Sequence, residues 1–268
     1  MKELFKFCKS LTSIDISNFD TNQVTTMKSM LNHCENLEQI NFGKLNTSSL
    51  TDMDSLFSCC YTITSIDLSY FDAIKVTTMN NLFNQCKNLE KINFGNINTS
   101  SVEIMSGMFQ TCLKLTSVDL SKLDTRSVTS MAMMFLSCSN LLYLDLSNFD
   151  TSKVINIGNM FSGCSSLIYL NLSSFHLDSS INYQNPFNEY TSSVKYCITD
   201  EIAKNAFRRS IGILNCSDTC FQENRKIFIE QNICVDSCIR TGYKYEYNGI
   251  CYKNVHQILI FYFMKKMK

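Results

Sequence analysis

Along residues 1–177, apolar side chains return in nine columns, each stepping by 26 positions with no insertion. Eight of them begin Leu11/Leu37/Ile63, Ile14/Ile40/Ile66, Ile16/Phe42/Leu68, Phe19/Leu45/Phe71, Val24/Leu50/Val76, Met27/Met53/Met79, Met30/Leu56/Leu82 and Leu31/Phe57/Phe83. The ninth is a cysteine column of Cys8, Cys34, Cys60, Cys86, Cys112, Cys138 and Cys164. A fixed step of this kind marks a stacked repeat, in which a unit too small to bury its own apolar face buries it against its neighbours.

Spacing within one repeat separates two elements. Leu141, Leu144, Leu146 and Phe149 fit an L-x-x-L-x-L strand, with alternation through Leu144-Asp145-Leu146. Val128, Met131, Met134, Phe135 and Cys138 recur at three and four, the spacing of one face of a short helix, and Thr25 or Thr129 is placed to cap it. Between them, Phe149-Asp150-Thr151-Ser152 supplies the short polar side chains that fix a tight turn. The predicted fold is therefore α/β: a right-handed, leucine-rich-repeat-like solenoid of strand–turn–helix units with a parallel sheet, about seven repeats over 1–177. Met1, Leu4, Phe5 and Cys8 fall on the columns of the second element. The first repeat is accordingly expected to be truncated, with Met1 an internal methionine of a longer reading frame.

Two repeat subtypes alternate. Asn41-Phe42-Gly43 recurs as Asn93-Phe94-Gly95, between repeats reading Asp67-Leu68-Ser69 and Asp119-Leu120-Ser121, so the unit of duplication is 52 residues. The outward strand positions are mostly small or polar, and only Tyr143 and Tyr169 bring aromatics there, one repeat apart. Tyrosine is favoured in binding hot spots, which makes these two, with Asp119 and Asp145 on the same face, the candidate contact residues. The alternative is that the tyrosines pack against the C-terminal segment. In the cysteine column, parallel Cβ vectors at strand spacing lie just outside disulfide geometry, so free buried thiols acting as apolar fillers are expected. Cys59 is extra and is expected to face outward.

After Phe175 the Val-x-x-Met pattern stops and Pro186, the single proline, follows. Residues 178–196 read as a polar cap or linker, and Ile202, Ala203, Ala206 and Phe207 as a short amphipathic helix. Residues 197–254 form a cysteine-rich module in which Cys197, Cys216, Cys220, Cys234, Cys238 and Cys251 are disulfide candidates, implying an oxidising compartment. The competing reading is a zinc site from the twin C-x3-C pairs Cys216/Cys220 and Cys234/Cys238. The tail, 255–268, holds the apolar run Ile258 to Phe263 and three lysines, too short to span a bilayer.

Charge narrows the partners. Lys plus Arg and Asp plus Glu are equal at 24 each, with no polybasic arm, so nucleic acid is not an expected partner. His33, His176 and His256 are scattered, and no phosphate loop, H-E-x-x-H, G-x-S-x-G or dinucleotide fingerprint occurs. Asp15, Asp67, Asp119 and Asp145 recur in register with Asn41 and Asn93, the mark of a surface ladder rather than of acid/base chemistry. No catalysis, no metal and no cofactor are expected.

Seven in-register cysteines and units such as LYLDLSNFDTSKVINIGNMFSGCSSL resemble the 26-residue repeats of BspA-like leucine-rich-repeat surface proteins. The resemblance covers 1–177. It implies an extracellular or cell-surface protein that adheres to a protein or glycan on another cell or in the matrix, with membrane association through an anchor that this chain does not display, and it carries over no catalytic residue. The rival expectation is an intracellular leucine-rich-repeat scaffold with reduced cysteines and zinc in the tail. Sequons at Asn46, Asn98, Asn171 and Asn215 would permit glycosylation in the first case.

Overall fold

The computed structural model describes residues 1–167, 169–179, 181–182, 186–187 and 194–207, and strand residues 213–214, 226–228, 233–235, 245–247 and 250–252. Strands β1 (Ser13–Asp15), β2 (Gln39–Asn41), β3 (Ser65–Asp67), β4 (Lys91–Asn93), β5 (Tyr143–Asp145), β6 (Tyr169–Asn171), β7 (Lys195–Cys197) and β8 (Ile213–Leu214) occupy one edge of the solenoid. The pairs β1–β2, β3–β4, β5–β6 and β6–β7 are parallel and in register at 26 residues, as Ile14 opposite Ile40 and Leu144 opposite Leu170. On the other edge a second parallel ladder runs without interruption through Thr26, Asp52, Thr78, Ile104, Ser130, Asn156 and Asn182.

The helix expected in the second half of each repeat is not what forms. From Met27 to Cys34 the chain makes consecutive turns, in which Met30, Asn32 and Cys34 donate to the carbonyls of Met27, Ser29 and Leu31. The intervening amides cross to the next coil: Ser29 to Asp54 O at 2.8 Å, Leu31 to Leu56 O at 3.0 Å and His33 to Ser58 O at 2.9 Å. Every fourth residue turns left-handed to keep this up, with φ of +53° at Ser29 and +60° at His33. Geometry explains why the helix loses. Both edges advance by one strand spacing per coil, about 4.8 Å, and an α-helix about 10 Å across cannot stack at that interval. The apolar reading survives, because two such turns also bury i, i+3, i+4 and i+7: Val128, Met131, Met134, Phe135 and Cys138 are all fully buried. The threonines expected as helix caps do another job. Thr129 Oγ1 donates to Glu103 O at 3.1 Å, and Thr25 O accepts the Thr51 hydroxyl at 2.9 Å.

Two internal columns tie the coils together. Phe57, Phe83, Phe109, Phe135, Phe161 and Phe187 form one stack with centroids 5.3–5.8 Å apart. Offset ring pairs of this kind contribute about 0.5–1.5 kcal/mol each beyond the area they bury. Beside them each column thiol from Cys34 to Cys164 donates to a carbonyl 29 residues back, as Cys112 Sγ to Phe83 O at 3.2 Å and Cys138 Sγ to Phe109 O at 3.0 Å. These cysteines are free and buried; Cys8 is free and exposed. Burial pushes Cys34 up to about 11 and Cys164 up to about 12, and raises Cys60, Cys86, Cys112 and Cys138 well above the ordinary thiol value. Cys59, expected outside, is buried.

The ladder also runs past residue 177, where the repeat was expected to end. Phe187 lies 26 positions after Phe161 and stacks on it, Phe161 N–H donates to Pro186 O at 2.8 Å, and β7 continues the sheet from β6. Position 187 keeps its aromatic ring although the methionines around it are gone, so the coil persists through a degraded pattern. Helix α1 (Glu201–Ala206) follows, capped by Asp200, whose Oδ1 accepts the Ala203 N–H at 2.7 Å. It delivers Phe207 against Phe161, Phe175 and Phe187, closing the end of the ring stack. Ile202, read from the sequence as part of its apolar face, is exposed. Further on, β9 (Lys226–Phe228), β10 (Ile233–Val235), β11 (Tyr245–Tyr247) and β12 (Ile250–Tyr252) form a separate sheet in the order β10-β9-β12-β11.

Candidate functional site

The candidate surface is the strand edge, and most of its polar side chains are already committed to the backbone. In each coil up to β6 the Asx residue that ends the strand position accepts the amide two residues on, as Ser17 to Asp15 at 2.9 Å, Gly43 to Asn41 at 3.0 Å, Ser121 to Asp119 at 3.0 Å, Ser147 to Asp145 at 2.9 Å and Ser173 to Asn171 at 3.1 Å. A second Asx column does the same at the next corner, as Ser152 to Asp150 at 2.9 Å. Hydrogen bonds from Ser121 hold the Asp119 carboxyl below its ordinary value, and those from Ser17 and Asn41 do the same for Asp15. Asp119 and Asp145 are exposed, and for each of them one carboxylate oxygen is engaged in its turn. Asn171 is fully buried.

The first position of each strand is occupied in turn by Ser13, Gln39, Ser65, Lys91, Tyr143, Tyr169 and Lys195. Tyr143 stands opposite Tyr169, and Tyr169 opposite Lys195, in adjacent rungs of one parallel sheet. Tyr143 is half-buried. Backbone pairing thus brings both predicted tyrosines to neighbouring rungs and adds Lys195, which sequence reading had assigned to a linker; its signal was the 26-residue step from Tyr169. Asp145 closes the same strand as Tyr143, one coil from Asn171. Asp119 lies in the coil between β4 and β5, where no strand is assigned.

The three histidines do not converge. His33 Nδ1 sits 3.4 Å from Glu35 with its ring stacked on Phe7, His176 Nδ1 lies 3.6 Å from Asp200, and His256 lies outside the described residues. Among the described residues no group of three His, Cys, Asp or Glu side chains is placed to hold a metal ion, and no helix is long and apolar enough to cross a membrane. Of the disulfide candidates, Cys197 is buried and disulfide-bonded. Cys234 and Cys251 are placed as the central residues of β10 and β12. Cys216, Cys220 and Cys238, three of the four cysteines of the competing zinc reading, lie outside the described residues, as does the apolar run from Ile258.

Among known proteins, a sequence family described as "Mycoplasma protein of unknown function, DUF285" matches residues 1–96 and again 83–199. No curated protein matches the chain. A crystal structure of a leucine-rich repeat protein from Bacteroides ovatus is similar at 20% identity with a TM-score of 0.38. That likeness covers 75% of this chain and 58% of the other, so the chain spans less than two thirds of the protein it matches.

Proposed function

The chain belongs to the family described as Mycoplasma protein of unknown function, DUF285, and we propose that within it this protein is a non-catalytic recognition solenoid on a cell surface or in the medium. The strand edge would bind a protein or glycan non-covalently. The observation that carries the reading is the division of labour on that edge. The Asx columns fix turns, while the backbone pairing of β5, β6 and β7 sets Tyr143, Tyr169 and Lys195 on successive rungs in a register that the partner does not have to organise. Tyr143, Tyr169 and Lys195 occupy three adjacent rungs and form the centre of the proposed contact, with Asp145 beside them. Many weak contacts along such an edge gain strength when several copies are displayed together. The resemblance of the repeat to BspA-like surface proteins supports placement outside the cell, as does the disulfide at Cys197, a bond that persists in oxidising compartments.

The test uses protein from its native cell. Intact cells are treated with a membrane-impermeant amine reagent, and the recovered chain is alkylated before and after reduction. Labelled lysines, with Cys197 alkylating only after reduction and the column thiols free throughout, support the reading. A chain that escapes the amine reagent and whose fourteen cysteines all alkylate without reduction overturns it in favour of an intracellular scaffold.

A further inference from the structure

We infer that the first four coils are articulated as two blocks of two, 52 residues each, and that the strand edge opens and closes at the junctions between blocks. The inference is independent of what the edge binds. Count coils from their strands, β1 to β4. Inside a block the strand edges are zipped: Ile16 N–H donates to Asn41 O at 2.9 Å, and Leu68 N–H to Asn93 O at 2.8 Å. The equivalent amides at the junctions, Phe42 and Phe94, donate to no backbone carbonyl among the described residues, and β2 does not pair with β3.

Side chains follow the same alternation. Within blocks, Asn41 Nδ2 donates to Asp15 Oδ2 at 3.0 Å and Asn93 Nδ2 to Asp67 Oδ1 at 3.1 Å. Among the described residues no such bond joins Asn41 to Asp67 or Asn93 to Asp119. Gly43 and Gly95, both at φ +56°, press so closely on the preceding coil that an added Cβ would meet Ser17 Cβ at 2.5 Å or Ser69 Cα at 2.6 Å. The junction-facing residues at the same place are Ser69 and Ser121, which carry a Cβ. So the strand edges are in close backbone contact inside a block and lack that contact between blocks, where Phe42 instead packs edge-on against Phe71 with ring centroids 5.1 Å apart.

What holds a junction is elsewhere. At the corner, Asp72 N–H donates to Thr47 Oγ1 at 2.7 Å and Asp124 N–H to Thr99 Oγ1 at 2.8 Å, whereas within blocks position 73 is alanine and Thr21 Oγ1 is buried without a partner. On the far edge the first junction keeps a full set of bonds, from Met53 N–H to Thr78 O at 3.1 Å through Cys59 N–H to Asn84 O at 2.7 Å. The far edge is therefore the pivot and the strand edge the side that opens. Beyond the blocks, β5, β6 and β7 pair in succession, a platform that carries Tyr143 and Tyr169.

Residue-resolved hydrogen exchange on the full chain tests this. The Phe42 and Phe94 amides should exchange at least about tenfold faster than those of Ile16 and Leu68, while Ser29, Leu31, Ser55 and Phe57 on the far edge stay equally protected. Equal protection at all four strand-edge amides overturns the proposal, and the wild-type protein alone decides it. A Gly43→Ala variant extends the test by wedging the first block open: Ile16 should lose protection to the level of Phe42 with the far edge unchanged. Retained protection at Ile16 would show that close packing at Gly43 is not what zips the block, and would overturn the mechanism.

Discussion

Raising the pH should unfold this protein through its cysteine column, and the steepness of the loss can be worked from the structure. Cys112 is fully buried and donates to Phe83 O at 3.2 Å; burial raises its pKa well above the ordinary value of 9.0. A folded-state pKa raised above the unfolded one means that the thiol's contribution is fully present below about pH 9 and is lost as pH climbs toward the folded value. At pH 10 a thiol in the unfolded chain is about nine-tenths ionised while its folded counterpart holds its proton. Each such thiol then adds about 1.2 kcal/mol per pH unit to the slope of unfolding free energy against pH. Cys60, Cys86, Cys112 and Cys138 share this environment, so the slope between pH 9.5 and 10.5 is on the order of 5 kcal/mol per unit from these four alone. The assay is urea unfolding followed by circular dichroism at half-unit pH steps, under reducing conditions. Cys112→Ser keeps a hydroxyl that can donate to the same carbonyl but does not titrate, so its slope should be shallower by about 1.2 kcal/mol per unit. A Cys112→Ser slope equal to that of the wild type would refute the argument, whatever the variant's absolute stability.

Four further substitutions probe the ladders and the ring stack. Thr151 Oγ1 accepts the His176 N–H at 2.9 Å and donates to His176 O at 2.8 Å, so Thr151→Val strands two backbone groups and should cost about 2–4 kcal/mol in chemical unfolding. Thr21→Val, where the buried hydroxyl has no partner, should instead be neutral or stabilising by about 1 kcal/mol; equal losses at the two sites would refute the assignment. Asn93→Asp replaces an amide donor to Asp67 by a second carboxylate, which should cost about 0.5–1 kcal/mol at pH 7 and recover as pH falls below the carboxylate range, read as thermal midpoints at pH 7 and about pH 2.5 relative to the wild type. Phe109→Ala removes a ring from the middle of the stack and should cost about 3–5 kcal/mol, checked by the same urea titration.

Much of this architecture was legible in the chain. The nine columns gave the stacked repeat, the parallel strands and the buried residues, because burial depends only on which positions face inward. The hydrogen bonds were not legible to the same degree. Val128, Met131 and Phe135 sit at helical spacing, yet a pair of left-handed turns satisfies that spacing equally well, and apolar periodicity does not see where an amide points. A weaker signal was present: the left-handed columns hold Asn81, Gly107, Asn159 and Gly163, residue types that tolerate positive φ. The coil after residue 177 was missed for the opposite reason. Its methionines are replaced, and the register is carried by the ring at Phe187, the step from Asn156 to Asn182 and the step from Tyr169 to Lys195. On the surface, the sequence marked Tyr143 and Tyr169 as unusual, and the sheet pairs them; that Asp119 and Asp145 each spend an oxygen on a turn needed the coordinates.

Those commitments constrain how the strand edge can acquire specificity. An Asx residue that caps a turn cannot be exchanged freely, since replacing Asp145 by a residue without an acceptor frees the Ser147 amide. The inward positions are fixed by the columns, and the glycines of the blocks by contacts under 3 Å that any Cβ would make. The position that opens each strand runs Ser13, Gln39, Ser65, Lys91, Tyr143, Tyr169 and Lys195, with Ser117 in the coil where no strand is assigned, and it varies in size and charge more than the position two residues on. The proposed contact uses that column where Tyr143, Tyr169 and Lys195 follow one another and β5, β6 and β7 pair without a break. A contact made there rests on the zipped platform, while Ser13, Gln39, Ser65 and Lys91 belong to the blocks whose junctions open. The division has a physical reason: a partner that docks on backbone already held in register leaves less ordering entropy to be lost on binding.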